Sequence, residues 1–99
     1  MIQEAREVIR KRAALHMNDP VIEQYRDELI NILSQNEDET IQFLKNCSKD
    51  ELIWVSEVFE EIAYNLQSTE YINTLKECDK KYPELKLTNI IKTAISYMD

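Results

Sequence analysis

Three carboxylates, Glu57, Glu60 and Glu61, stand at i, i+3 and i+4, the spacing that sets side chains on one face of a helix. Inside a helical bundle such a row holds divalent cations when other helices supply Glu-x-x-His motifs, and that motif is missing here. His16 is the sole histidine, and Cys47 and Cys78 are the only cysteines, too few and too scattered for a zinc site. Ser–His or Cys–His catalysis would require His16 to reach a nucleophile from the end of the first helix. The chain has no glycine at all, which removes the loops that cradle phosphate. The expectation is a protein that is not an enzyme, takes no metal or cofactor, and binds something.

The charge says what kind of partner that is. The net charge is −7, and it is uneven: residues 1–17 carry +2, 18–36 carry −3, 37–70 carry −7 and 71–99 carry +1. A concentrated single-sign surface speeds association with an oppositely charged partner and weakens with salt. A basic protein partner is therefore expected, bound by an acidic face of Asp50, Glu51, Glu57, Glu60 and Glu61 with Trp54 or Tyr64 as an apolar anchor, since aromatic residues are enriched in binding hot spots. Each of these residues also has a plainer reading. Asp50 and Glu51, with Glu37, Asp38 and Glu39, suit helix caps; Glu57, Glu60 and Glu61 suit a solvated face; Trp54, Tyr64 and Tyr71 suit a core. Arg6, Arg10, Lys11 and Arg12 offer a basic face to nucleic acid or to the acidic middle of the same chain. At −7 overall, phosphate contacts face general repulsion, so the internal or solvated role is preferred and no nucleic-acid partner is expected.

The elements that position these residues follow from a repeat. The run Ile41-Gln-Phe-Leu44-Lys45-Asn-Cys47 recurs as Ile72-Asn-Thr-Leu75-Lys76-Glu-Cys78, a constant offset of 31, which suits one helical hairpin per unit. Helical apolar periodicity marks six helices: about 2–17; then one to about Ser34, with Asp19 as N-cap and Pro20 at its first position; a third from Asn36 to near Cys47, Asn36 capping and Glu39 reaching back; a fourth, the longest, about Lys49–Leu66; a fifth capped by Ser68 and ending before Pro83; and a sixth, about Thr88–Met98. Ser48-Lys49-Asp50-Glu51 reads as a capping box. The fold class is all-α, one domain over 1–99, with antiparallel hairpins stacked in a HEAT-like or bundle arrangement: an N-terminal helix pair (1–36) and two repeat-related hairpins (37–66 and 67–99). Cys47 and Cys78 occupy equivalent places and read as buried packing thiols. Without glycine, compact capped junctions are expected rather than glycine-dependent turns.

The stretch Lys49-Asp-Glu-Leu52-Ile-Trp54-Val-Ser56-Glu57-Val58-Phe59-Glu60-Glu61, with Lys81-Tyr82-Pro83-Glu84-Leu85 after it, resembles the small helical-repeat immunity proteins of bacterial contact-dependent inhibition and polymorphic toxin systems. The resemblance covers about residues 37–98 and implies a cytoplasmic protein that neutralises a cognate toxin domain, often a nuclease, by covering its active site or substrate-binding surface. It assigns no binding residue. The alternative is a helical adaptor that holds a peptide or helix of a regulatory protein between hairpins, with Trp54, Tyr71 or Ile53 exposed in one patch. No uncharged stretch approaches the roughly 20 apolar residues of a membrane span, and the start lacks the apolar segment of a signal peptide; the expected location is the cytoplasm, with no membrane partner.

Overall fold

The computed structural model describes residues 2–99; Met1, counted in the 1–99 domain and in the start read as lacking a signal segment, lies outside them. The described residues form α1 (Ile2–Ala13), α2 (Ile22–Leu33), α3 (Glu37–Lys45), α4 (Lys49–Val55), a 3₁₀ turn (Ser56–Val58), α5 (Phe59–Leu66), α6 (Thr69–Lys81), a second 3₁₀ turn (Pro83–Leu85) and α7 (Thr88–Ser96), with no strand among them. The chain is all-α. No helix of the described residues is long and apolar enough to cross a membrane.

The repeat-related helices touch their counterparts. α3 lies against α6 and α5 against α7, while α1 and α2 pair and cover α4 and the first 3₁₀ turn. Repeat positions therefore share one core: Leu44, Cys47, Leu75 and Cys78 are all buried, together with Leu33, Phe43, Val55, Phe59 and Ile62. Each such aliphatic or phenyl side chain contributes about 1.5–3 kcal/mol by leaving water.

Side chains do the work of the missing glycines at most junctions. Ser48 Oγ accepts from the Glu51 amide at 3.1 Å while Glu51 accepts from the Ser48 amide at 2.8 Å, the reciprocal capping box. Ser68 Oγ caps α6 through the Tyr71 amide at 3.0 Å. Asn36 caps α3 through the Glu39 amide at 2.9 Å, but Glu39 is exposed and makes no return bond. The buried Thr40 hydroxyl locks this corner instead, donating to the Leu33 carbonyl at 2.7 Å. Asp19 accepts from the Val21 amide at 2.9 Å, yet residues 20–21 are a turn and α2 proper starts at Ile22. α1 stops at Ala13, short of the expected 17. Two junctions depart from the expectation more sharply: Gln67 (φ 48°) and Lys86 (φ 54°) adopt the left-handed conformation, which costs a residue with a Cβ roughly 1–2 kcal/mol.

The largest correction concerns the expected helix over 49–66. It is two helices, broken at Ser56–Val58. Nothing in the sequence forbids continuity there, since neither Pro nor Gly is present, but Val55, Ser56 and Val58 weaken it: two β-branched residues and a serine whose hydroxyl competes for backbone acceptors. Ser56 Oγ donates to the Ile53 carbonyl at 2.6 Å, and the Phe59 amide bonds three residues back to Ser56. From outside the segment, Arg26 Nη2 donates to the Glu57 carbonyl at 2.9 Å. The break lets Val55, Val58, Phe59 and Ile62 all reach zero exposure while α4 faces α1 and α5 faces α7.

Candidate partner-binding site

The seven residues expected to form one acidic face take up three different environments. Glu51 and Glu57 turn inward. Glu51, beyond its cap, accepts from Arg6 Nε at 2.8 Å; burial alone would raise its carboxyl, but the Ser48 and Arg6 bonds outweigh that and hold it below the ordinary value. Glu57 takes a two-pronged bond from Arg12, Nε to Oε1 at 2.9 Å and Nη2 to Oε2 at 2.7 Å. The same guanidinium lies 4.8 Å above the Trp54 ring, so the half-buried Trp54 is covered by a residue of its own chain. Helix α1 therefore commits Arg6 and Arg12 to carboxylates of its own chain, while Arg10 and Lys11 are exposed. Asp50 is exposed at the start of α4. Because the 3₁₀ turn separates Glu57 from the other two, the i, i+3, i+4 row of carboxylates is broken, and no group of three or more His, Cys, Asp or Glu among the described residues is placed to hold a metal ion.

Glu60, Glu61 and Tyr64 lie on α5, and the last two line an open cleft of about 400 Å³ together with Ile30 of α2, Asn65, and Tyr97 just after α7. Tyr64 is 64% exposed and Tyr97 44%. The cleft is framed by side-chain bonds. Asn65 Nδ2 donates to Ser34 Oγ at 2.9 Å, tying α5 to the end of α2. The left-handed Gln67 uses its amide as a clamp: Nε2 donates to the Tyr64 carbonyl at 2.9 Å and to the Tyr97 carbonyl at 3.0 Å, and Oε1 accepts from the Asp99 amide at 2.8 Å. These three bonds offset the strain of its backbone and set the two tyrosines beside each other. Glu61 has one carboxylate oxygen sealed from solvent with no hydrogen-bond partner. Arg26, the nearest cation on the α2 wall by sequence, is already committed to Glu23 at 3.1 Å and to the Glu57 carbonyl, with its Nε buried and unpaired.

No family model matches this chain, nor does any curated protein or solved structure. Its function has to be argued from the site itself.

Acids dominate three of the segments that frame the cleft, while its α2 wall carries Arg26. The segments joined by these bonds, 34–39, 60–70 and 93–99, carry Glu37, Asp38 and Glu39, Glu60 and Glu61, then Glu70 and Asp99, without a single Lys or Arg. Ser68 Oγ donates to Glu37 Oε1 at 2.6 Å, which brings the acidic first turns of α3 and α6 together. Tyr97, Ile30, Asn65 and Gln67 were not among the residues singled out from the sequence. Their one shared signal is position at helix ends, and a helix end does not reveal its spatial neighbours.

The remaining reactive groups lie elsewhere. His16 is exposed in the α1–α2 connection. Cys47 and Cys78 are free and buried, Cys78 Sγ contacting the Leu44 carbonyl at 3.8 Å. Burial first, and Glu51 next, push the Cys47 thiol up to about 12, so thiolate is scarce at neutral pH. Cys47 in the native protein is expected to resist a disulfide reagent at pH 8 and to react at once in denaturant. Stoichiometric labelling of the native protein within minutes would show a thiol open to solvent.

Proposed function

We propose that this chain is a non-enzymatic binding protein that covers a basic surface of a partner protein, and that the partner is a cognate toxin domain, above all a nuclease, neutralised in the cytoplasm. The observation that carries the reading is the acidity of three segments joined by hydrogen bonds at the Tyr64–Tyr97 cleft, 34–39, 60–70 and 93–99, which carry seven carboxylates and no basic residue, Glu61 among them lining the cleft itself. A nuclease must present basic surface to phosphate, and an acidic helical face occupies that surface in place of RNA or DNA. Mechanistically the block is steric, and its speed is electrostatic. The face differs from the one expected from sequence: Glu60, Glu61 and Tyr64 stay in it, Asp50 stands apart on α4, and Glu51, Trp54 and Glu57 are engaged within the fold. The adaptor alternative calls for Trp54, Tyr71 or Ile53 in one exposed patch; Ile53 is 40% exposed, but Tyr71 is 0% exposed and Trp54 is half-buried under Arg12, so the three residues do not make one exposed surface.

The test is co-expression with the C-terminal domain of the polypeptide encoded directly upstream. A one-to-one complex that restores growth, with an association rate falling at least about tenfold from low to physiological salt, supports the reading. Asp38→Asn, Glu39→Gln and Glu70→Gln together should slow association by a similar factor while dissociation changes little, as rim charges do. No complex with a harmless neighbour, or a complex indifferent to the triple variant and to salt, overturns it.

A further inference from the structure

We infer that the Tyr64–Tyr97 cleft is the seat of one arginine side chain of the basic partner, its guanidinium laid against the tyrosine rings and paired with Glu61; this rests on the proposed function for the identity of the partner. Four observations converge on that occupant. Glu61 lines the cleft and is only half-buried; one of its oxygens is sealed inside the protein, so a group bringing N–H donors from the cleft meets the carboxylate at its other oxygen, which no hydrogen bond of the chain occupies. Two exposed phenol rings and Ile30 make the walls, and aromatic faces attract cations. Three of the segments that frame the cleft, 34–39, 60–70 and 93–99, carry acids and no basic residue, and Arg26 on the α2 wall is engaged with Glu23 and the Glu57 carbonyl. The cleft, about 400 Å³ and open, admits a long side chain end-on from a neighbouring surface.

The same features exclude other occupants. A phosphate or carboxylate would enter against the like charge of Glu61. An aliphatic side chain would strip water from Glu61 without replacing its hydrogen bonds, a loss that apolar contact does not recover. Between the two cations, arginine fits better than lysine: its planar fork pairs with a carboxylate and stacks on an aromatic ring at once, and it gives up hydration more readily than an ammonium. Gln67 is a positioning residue in this scheme, since it bonds the backbone of both tyrosines and touches no partner atom.

The probe is N-acetyl-arginine methylamide, titrated into the whole protein and followed by the ring and methyl NMR signals of Tyr64, Tyr97 and Ile30. Saturable shifts confined to the cleft are expected, with a dissociation constant on the order of 1 mM, several-fold weaker binding for the lysine analogue and none for the uncharged citrulline analogue. Glu61→Gln and Tyr97→Ala should each weaken the arginine probe about tenfold, while Glu61→Gln leaves the thermal midpoint unchanged or higher, because no internal partner is lost. Non-saturating shifts spread over all exposed acids, equal affinity for citrulline, or a lower midpoint in Glu61→Gln that assigns its carboxylate to Arg26 within the fold would each overturn the inference. The two ideas fail separately. A toxin complex that forms at full strength with Glu61→Gln and Tyr97→Ala removes the arginine seat and keeps the proposed function. A cleft that binds the probe while no basic protein partner exists does the reverse.

Discussion

Arg12→Ala is expected to destabilise the protein by about 2–3 kcal/mol, a large share of the roughly 5–15 kcal/mol that holds a domain of this size. Arg12 is only 9% exposed. Its guanidinium satisfies both oxygens of Glu57 and roofs Trp54, and the helix that carries it lies against α4. Alanine leaves a half-buried carboxylate without its counter-charge, which is why breaking such a pair is worse than never having had it. In urea the midpoint should fall with the slope unchanged, and the thermal midpoint should drop by roughly 10–20 °C at about 4–8 °C per kcal/mol. Arg12→Lys keeps the charge but not the fork and should recover only part of the loss. Replacing Arg12 and Glu57 together by methionine should be far milder than either single change, since no unpaired charge remains. If Arg12→Ala left the midpoint in place, the pair would be an ordinary surface contact, and Glu57 would return to the partner-facing set.

Tyr71→Ala should be costlier still, about 3–5 kcal/mol, the range for removing a buried aromatic side chain. Tyr71 has no exposed surface, and its hydroxyl donates to the Phe59 carbonyl at 2.9 Å, so the ring joins α6 to the start of α5 immediately after the 3₁₀ break. Tyr71→Phe keeps the packing and loses one neutral hydrogen bond, about 1 kcal/mol. The two variants also separate through pH. Burial first, and the Glu61 carboxylate second, raise the Tyr71 phenol well above its ordinary value of 10.0. A folded-state value above the unfolded one contributes stability that is intact below pH 10 and is lost as the pH rises from there. Stability of the native sequence should therefore fall more steeply above pH 10 than that of Tyr71→Phe. Parallel alkaline limbs, or a fully stable Tyr71→Ala, would place Tyr71 at the surface and revive the adaptor reading.

These two residues show where the sequence was legible. Arg12 offered two roles, nucleic-acid contact or internal neutralisation, and the sign of the whole chain favoured the second; the partner was known to be acidic but not to be Glu57. Tyr71 sits in the helical stripe with Ile72, Leu75 and Cys78, and its core role followed from periodicity as readily as a surface role did from its place at a junction. Six helical segments, their caps at Ser48 and Ser68, and the buried equivalence of Cys47 and Cys78 were all readable because each depends on neighbours within a few positions: apolar spacing, a hydroxyl before an acid, a repeated register.

What the sequence by itself determined is the all-α class, the run repeated at an offset of 31, the segment that holds the acid surplus and the absence of glycine from every turn. What only the tertiary structure decided is which acids are spent inside and which remain. The break at Ser56–Val58 depends on a carbonyl drawn toward Arg26, thirty-one positions away; the neutralisation of Glu51 and Glu57 depends on a helix forty-five positions upstream; and the Tyr64–Tyr97 cleft exists because Gln67 binds the ends of two helices whose tyrosines are far apart in the chain. Local periodicity fixes the face of a helix to within about a turn, but a carboxylate becomes a cap, an ion pair or an open site according to the one side chain that arrives opposite it. That meeting is set by how the helices pack.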